Sequence, residues 1–206
     1  PGNADTFRLK TLGSIAHQYA FINPDSGRIL AISLIAEGKN KKMVKAEAMG
    51  YNSLGVNYMN MDSNDQAIAS FNKCYELSEK LGDKSKMAAA LMNIGLIYDH
   101  FSEHARGLEY KLKSLKLREE AGDKKAMGNT YTNLGISYAH LLDYAKALEY
   151  YLKCQKVAEE MNDKNLLANN MNNTGVIYKA MNDLPRALDH FMKSVKLKEE
   201  IGNKGE

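Results

Sequence analysis

The sequence predicts an all-α fold, a right-handed superhelical solenoid of about five helix pairs, and three observations support this prediction. A glycine recurs every 40 residues, and a tyrosine follows each of these glycines three residues later. The glycines are Gly55, Gly95, Gly135 and Gly175, and the tyrosines are Tyr58, Tyr98, Tyr138 and Tyr178. Each period also ends on the same kind of helix-stop sequence. A fixed period of about 20–50 residues is the signature of a repeat architecture.

Each period is predicted to contain two helices. The first helix ends near the tyrosine, a short turn follows ("MDSN", "FSEH", "LLDY" or "MNDL"), and the second helix runs to the stop sequence. The stop sequences are Gly82-Asp83-Lys84, Gly122-Asp123-Lys124, Asn162-Asp163-Lys164 and Gly202-Asn203-Lys204. Gly or Asn suits the left-handed residue after a helix, and Asp or Asn caps the helix that comes next.

The period divides the chain into five predicted segments. Four full repeats cover residues 43–82, 83–122, 123–162 and 163–206. Residues 1–42 form a degenerate first pair, in which Pro24 opens the second helix. The last segment stops at the phase where a further first helix would begin. We therefore expect the apolar stripe of its second helix, from about Leu184 to Ile201, to pack on another molecule or on a further segment.

Small residues recur on the second helix of each repeat. The columns are Ala67, Gly107, Ala147 and Ala187, then Cys74, Ser114, Cys154 and Ser194 seven residues later. Seven residues make about two helical turns, so both columns lie on one stripe. We expect the glycine and these small residues to let the paired helices approach closely, with the tyrosine filling the remaining gap. The cysteines then belong to a packing position and not to a reactive or metal-binding site.

This pattern resembles the tetratricopeptide repeat, in its long-helix variant found in kinesin light chains. The residues that carry the resemblance are Tyr131, Leu134, Gly135, Tyr138, Ala147 and Tyr151, with the same positions filled by Tyr51, Leu54, Gly55, Tyr58, Ala67 and Phe71. Repeat three departs at Leu91, Gly107 and Lys111, and the last repeat at Met171 and Thr174. The resemblance implies a surface for protein or peptide recognition.

Short sequence stretches within the repeats, such as "ALEYYLKC" and "DYAKALEYY", are also similar to repeat arrays in bacterial sensor histidine kinases and related signalling proteins. That resemblance implies a sensing or docking fragment of a longer protein. If the sensor-kinase resemblance holds, we expect a periplasmic location. Otherwise we expect a cytoplasmic one.

Composition and motifs argue against several other functions. The net charge of +3 is too small for nucleic acid as a partner, and the apolar run from Met87 to Tyr98 is too short to insert in a membrane. No phosphate-binding loop, His-Glu-x-x-His sequence or paired-cysteine spacing is present, so we expect no enzyme and no cofactor. His100 and His140 share a column near Asp99 and His104, but their spacing fits no recognised metal site.

Helix geometry predicts a binding surface on the first helices. Positions two before each glycine lie about 160° around the helix from it and face away from the second helix. Positions six before and five after the glycine fall on nearly the same line. The predicted peptide-binding residues are Ser53, Asn93, Asn129, Asn133, Asn169, Asn173, His100 and His140. An amide both donates and accepts, so it pairs with the backbone of an extended ligand.

Repeat spacing sets the expected length of this ligand. Asn93, Asn133 and Asn173 would lie about 10 Å apart and engage about nine residues of an extended segment. Alternatively, the amides bond neighbouring first helices or water. In the tetratricopeptide-repeat family a carboxylate clamp of Lys or Arg beside the asparagines can hold a partner's C-terminus. Here Lys10 alone occupies a comparable column, so we expect no such clamp. We interpret Lys45, in a short run of lysines, as part of a solvated turn.

Three functions remain open at the sequence level. The leading one is a scaffold whose partner is a protein or an extended peptide segment. The second is a structural spacer, which includes self-association through the C-terminal helix. The third is an intracellular receptor for signal peptides or small molecules, which would need an enclosed pocket.

Overall fold

The computed structural model describes residues 3–202, and these residues form ten α-helices. The helices are α1 (Asn3–Tyr19), α2 (Pro24–Asn40), α3 (Val44–Asn60), α4 (Asn64–Lys80), α5 (Lys84–His100), α6 (His104–Ala121), α7 (Lys124–His140), α8 (Tyr144–Glu160), α9 (Lys164–Ala180) and α10 (Leu184–Gly202). The predicted all-α fold with two helices per period is therefore confirmed. Gly202 is the last residue of α10, and the rest of the final predicted stop sequence lies outside the described residues.

The chain divides into two compact units. Unit 1 covers residues 1–101 and contains α1 to α5, and unit 2 covers residues 102–206 and contains α6 to α10. In each unit, every helix packs on the next one along the chain. First helices also contact each other, α1 with α3 and α3 with α5 in unit 1, and α7 with α9 in unit 2. The boundary between the units lies inside the predicted 83–122 repeat.

Helix ends follow the predicted stop-and-cap pattern. Gly82 and Gly122 have φ angles of 65° and 66°, and Asn162 has a φ angle of 52°, so all three are left-handed. The carboxylates of Asp83, Asp123 and Asp163 then accept hydrogen bonds from backbone N–H groups near the start of the next helix, at 3.0–3.1 Å. The same sequence element therefore ends one helix and begins the next.

The turn inside each repeat is also left-handed, which the sequence analysis did not predict. The residues concerned are those of the four full repeats, Asp62, Ser102, Leu142 and Asn182, with φ angles between 54° and 61°. Lys42, with a φ angle of 54°, instead ends the first helix pair, where Gly82, Gly122 and Asn162 stand in later repeats. In unit 2 the N–H groups of Asp143 and Asp183 donate to the carbonyls of Tyr138 and Tyr178 at 2.9 Å. These hydrogen bonds close a six-residue turn and satisfy carbonyl groups at the end of the first helix. They offset the conformational cost of a left-handed residue that is not glycine.

The repeated glycine is explained by an aromatic ring on the paired helix. A Cβ atom at Gly135 would lie 2.3 Å from the ring of Tyr151, and one at Gly55 would lie 2.6 Å from the ring of Phe71. At Gly175 the ring of Phe191 would lie at 2.7 Å. The predicted close approach of the paired helices is therefore present, but an aromatic side chain of the second helix fills the space that the glycine leaves.

The small-residue column on the second helices is buried as predicted. Cys74, Ser114 and Cys154 have no exposed surface, and Ser194 is 3% exposed. Burial raises the pKa of both cysteine thiols, so these thiols are poor nucleophiles near neutral pH. Ser194 donates its hydroxyl to the carbonyl of Ala168 on the neighbouring first helix, at 2.8 Å.

Candidate functional site

Unit 1 carries an open cavity of about 390 Å³ on the surface of its first helices. Its lining comes entirely from α1, α3 and α5. The lining residues are Gly13, Ser14, His17, Gln18, Met49, Asn52, Ser53, Lys86 and Ala89. We call this surface the unit 1 groove. Ser53, Met49 and Ala89 are the positions that helix geometry assigned to the open side of the first helices.

Polar side chains beside the unit 1 groove connect its helices to each other. Ser53 is 3% exposed and donates its hydroxyl to the carbonyl of Gly13 at 3.2 Å. Asn57 and Asn60 donate their amides to the carbonyls of Ala16 and Ala20, at 3.1 and 2.6 Å. The bonds to Gly13 and Ala16 join α3 to α1, and the bond to Ala20 joins α3 to the turn after α1. The hydroxyl of Ser53 therefore already has a partner. At this position the structure agrees with the second interpretation of the polar column, in which its side chains bond to neighbouring first helices.

Unit 2 carries a corresponding cavity of about 300 Å³ between α7, α8 and α9. We call it the unit 2 groove. Its lining residues are Ile136, Ala139, His140, Tyr144, Tyr151, Asn173, Val176, Ile177 and Ala180. Asn173 is half-buried, and its amide forms no hydrogen bond with another described residue. Burial raises the pKa of Tyr151 to about 12, so its phenol is neutral in this wall. A half-buried free amide in an apolar wall can bind one peptide group.

The other predicted asparagines lie outside the two cavity linings. Asn133 is half-buried and donates its amide to the carbonyl of Asn129, one turn earlier on α7, at 2.9 Å. Asn129 on α7 and Asn169 on α9 are exposed, and Asn93 on α5 is half-buried. The amide oxygen of Asn133 still has capacity to accept a hydrogen bond.

The predicted histidines take part in local contacts. The exposed ring of His140 stacks on that of His104, with ring centroids 4.4 Å apart and an interplanar angle of 5°. In unit 1, Nε2 of His100 lies 3.8 Å from a carboxylate oxygen of Asp62. Across residues 3–202, no group of three or more His, Cys, Asp or Glu side chains is placed to hold a metal ion.

Apolar residues contribute more to the unit 2 groove than the sequence analysis predicted. Ile136 and Val176 directly follow the repeated glycines, and Val176 is 49% exposed. They lie three residues after Asn133 and Asn173, so one helical turn brings them to the same face. The signal was present in the sequence, because an apolar residue follows the glycine in every repeat. The groove can therefore hold apolar side chains as well as peptide groups.

In the part of the chain that the structure describes, no helix combines the length and apolar character needed to span a bilayer.

Comparisons with known proteins show which families and solved structures have this architecture. Two family models described as tetratricopeptide repeat match residues 126–200 and residues 50–81. No curated protein sequence matches the chain. Several solved structures have a similar fold.

One is a signal transduction ATPase with numerous domains, with a tetratricopeptide repeat sensor, from Pyrococcus horikoshii. It has a TM-score of 0.78 at 21% identity, over 94% of this chain and 30% of that chain. A putative kinesin light chain with nearly identical repeats, from Podosopora anserina, has a TM-score of 0.74 at 10% identity, over 94% and 96% of the two chains. A Rap protein in complex with competence and sporulation factor has a TM-score of 0.75 at 13% identity, over 98% and 67%.

Proposed function

Because this chain belongs to the tetratricopeptide-repeat family, we propose that it is a non-catalytic scaffold whose first helices bind an extended segment of a partner protein. The segment lies against the unit 2 groove, where one peptide group pairs with the amide of Asn173, and another pairs with the amide of Asn133, one helical turn before Ile136 on α7. Exposed amides at Asn129 and Asn169 and the ring of His140 flank the same line. In unit 1, helix geometry assigns Ser53 on α3, Asn93 on α5 and His100 at the end of α5 to the corresponding surface.

One observation carries this proposal, the half-buried amide of Asn173 in the unit 2 groove. A half-buried amide without a protein partner leaves a donor and an acceptor to be satisfied by water or by a ligand. Ile136 and Val176 place apolar surface beside that amide. An extended peptide offers both features, since its backbone pairs with the amide while alternate side chains contact the apolar wall.

The biological context that we propose is the docking or sensing segment of a larger bacterial signalling protein, such as a histidine kinase. The sequence of the repeats supports this context, and so do two proteins of similar fold. One has a tetratricopeptide repeat sensor in a signal transduction ATPase, and the other is a Rap protein bound to competence and sporulation factor. Both are similar to this chain in fold, at identities of 21% and 13%.

The test is selection of ligands from a random library of extended peptides, about nine residues long, displayed on phage. Binding of the selected peptides is measured by fluorescence anisotropy, and their position is found from amide chemical-shift changes in NMR spectra. We expect the largest changes on α7 and α9, around Ile136, Asn173 and Val176. A library in which no binder perturbs these residues would contradict the proposal.

The C-terminal helix supports a second candidate function, self-association of the chain as a structural spacer. Leu188, Met192 and Val195 on α10 are 60%, 64% and 54% exposed, and they lie on one face at helical spacing. Contiguous exposed apolar surface of this kind marks interaction sites. Light scattering over a range of protein concentrations tests this function. A dimer that Leu188→Glu converts to a monomer would support it, and a monomer at all concentrations would exclude it.

A further inference from the structure

Unit 1 has a second cavity, of about 370 Å³, beside the unit 1 groove. Leu9, Met43 and Met49 give it an apolar floor, and its charged groups are Lys10, Lys45 and Lys86. We call it the lysine cavity. It shares Met49 and Lys86 with the unit 1 groove, so the two cavities adjoin on the same surface. A segment that lies in the groove can therefore extend into the lysine cavity.

The three lysines come from three successive first helices. Lys10 lies on α1, Lys45 on α3 and Lys86 on α5. Lys45 and Lys86 also lie in the first turns of their helices, where the helix dipole adds positive potential. Stacking of the first helices thus brings together charges that are separated by 35 and 41 residues in the sequence.

The cavity keeps an excess of positive charge after its internal pairing is counted. Lys86 forms an ion pair with Asp83, and Lys86 and Lys45 both contribute to lowering the pKa of Asp83, against the opposing effect of burial. Lys10 and Lys45 are exposed, and neither pairs with a described carboxylate. Two ammonium groups therefore face solvent at the rim of an apolar pocket.

We infer that the lysine cavity binds an acidic side chain, Asp or Glu, which a partner's extended segment carries next to an apolar side chain. The apolar side chain contacts Leu9, Met43 and Met49, and the carboxylate lies between Lys10 and Lys45. Charge complementarity selects this occupant, because a basic segment would be repelled and a neutral one would leave the ammonium groups unmatched. This inference rests on the proposed function, since it assigns the chemistry of an extended segment that binds the first helices of unit 1.

The test selects library peptides against three forms of the protein and compares the composition of those that bind unit 1, recognised by amide chemical-shift changes on α1 and α3. The forms are the wild type, the double variant Lys10→Met with Lys45→Met, and the control Lys116→Met with Lys156→Met. Methionine keeps the apolar stem and removes the charge. The control removes the same charge from exposed positions on the second helices α6 and α8. Fusion of each peptide's C-terminus to the coat protein removes any free terminal carboxylate.

We expect the wild-type and control pools to be enriched in Asp or Glu beside an apolar residue, and the Lys10/Lys45 pool to lose this enrichment. A selected acidic peptide should bind the Lys10/Lys45 variant about three- to tenfold more weakly, the range expected for partly solvated ion pairs. Exchanging its Glu for Gln should give the same loss in the wild type and almost none in the variant.

Two results would overturn the inference in distinguishable ways. Neutral peptides that bind unit 1, with shift changes on α1 and α3, would contradict the acidic preference and leave the proposed function in place. A library without binders would contradict both.

Discussion

The ammonium group of Lys111 lies 2.6 Å from the hydroxyl oxygen of Ser137, and both side chains are completely buried. Lys111 occupies the position at which the other repeats carry Phe71, Tyr151 and Phe191. A buried charge is stable only when its hydrogen bonds are satisfied, and Ser137 supplies one of them. A polar pair in unit 2 thus stands where an aromatic ring would otherwise pack.

Removal of this pair should destabilise unit 2. We expect Lys111→Ala to lower the free energy of unfolding by about 2–5 kcal/mol, because it creates a cavity and leaves buried polar groups unpaired. Urea denaturation measures the change, and Lys113→Ala at an exposed position of the same helix is the control. Equal effects of the two substitutions would contradict the structural role of Lys111.

The packing of Gly135 against Tyr151 gives a second prediction. Gly135→Leu should lower the stability by roughly 1–3 kcal/mol or more, since even a Cβ atom would lie 2.3 Å from the ring. Gly135→Ala should have a smaller effect of the same sign, and Tyr151→Leu should relieve part of it. Thermal melting followed by circular dichroism tests this, with Lys125→Leu on the exposed face of α7 as the control. A stabilising Gly135→Ala would refute the packing account.

A third prediction concerns Asn173 in the unit 2 groove and Asn133 on the same face of α7. Replacing Asn133 and Asn173 together by Ala should weaken binding of a selected peptide by about 1–3 kcal/mol, because peptide groups in the groove would lose their partners. The melting temperature should stay nearly unchanged, since neither amide bonds to another helix. Asn172→Ala, at an exposed position of α9, is the control. If the double variant unfolds while keeping its affinity, the amides are structural.

Stability should also depend on His190. Its Nδ1 atom is buried without a protein partner, and burial lowers the pKa of its imidazole, as does Lys193, while Asp189 opposes the shift. Tyr178 on α9 and Glu149 on α8 face the same cavity. Because the folded pKa is below the unfolded value of 6.5, the folded state favours neutral imidazole. The stabilising contribution is therefore complete above about pH 6.5 and is lost as the pH falls through the folded pKa.

Melting temperatures at about pH 7.5 and about pH 5 test this sign. The drop between the two should be smaller in His190→Gln than in the wild type. His17→Gln, at an exposed position of α1, controls for the loss of a histidine. A variant that loses as much stability on acidification as the wild type would show that His190 does not contribute.

Much of the fold was predictable because each repeat encodes its own boundaries. The stop-and-cap residues around Asp83, Asp123 and Asp163 act within a few residues of the chain, so one sequence suffices to recognise them. The need for glycine was also visible, but the ring that fills its space was not, because Tyr151 lies 16 residues away on another helix. Lys111 shows the same limit, since a lysine at an aromatic position gives no sign that it is buried with Ser137.

The candidate site was predicted less completely, because equivalent positions differ in their neighbours. Ser53 and Asn173 share a column, yet Ser53 is covered by α1 and bonds to Gly13, whereas Asn173 keeps a free amide. Lys45 looked like part of a solvated turn, but stacking of α1 on α3 places it at the same cavity as Lys10. Such contacts join different repeats, so the alignment of equivalent positions cannot reveal them.

The main helix contacts within each unit join helices that are neighbours or next neighbours along the chain. Hydrogen bonds such as that from Asn57 to Ala16 follow the same rule, because they reach back about one repeat. Proteins dominated by such local contacts fold quickly, since little loop entropy must be lost before a contact forms. Within each unit, a helix can therefore dock on its predecessor soon after it leaves the ribosome, which lets the unit begin to fold during synthesis.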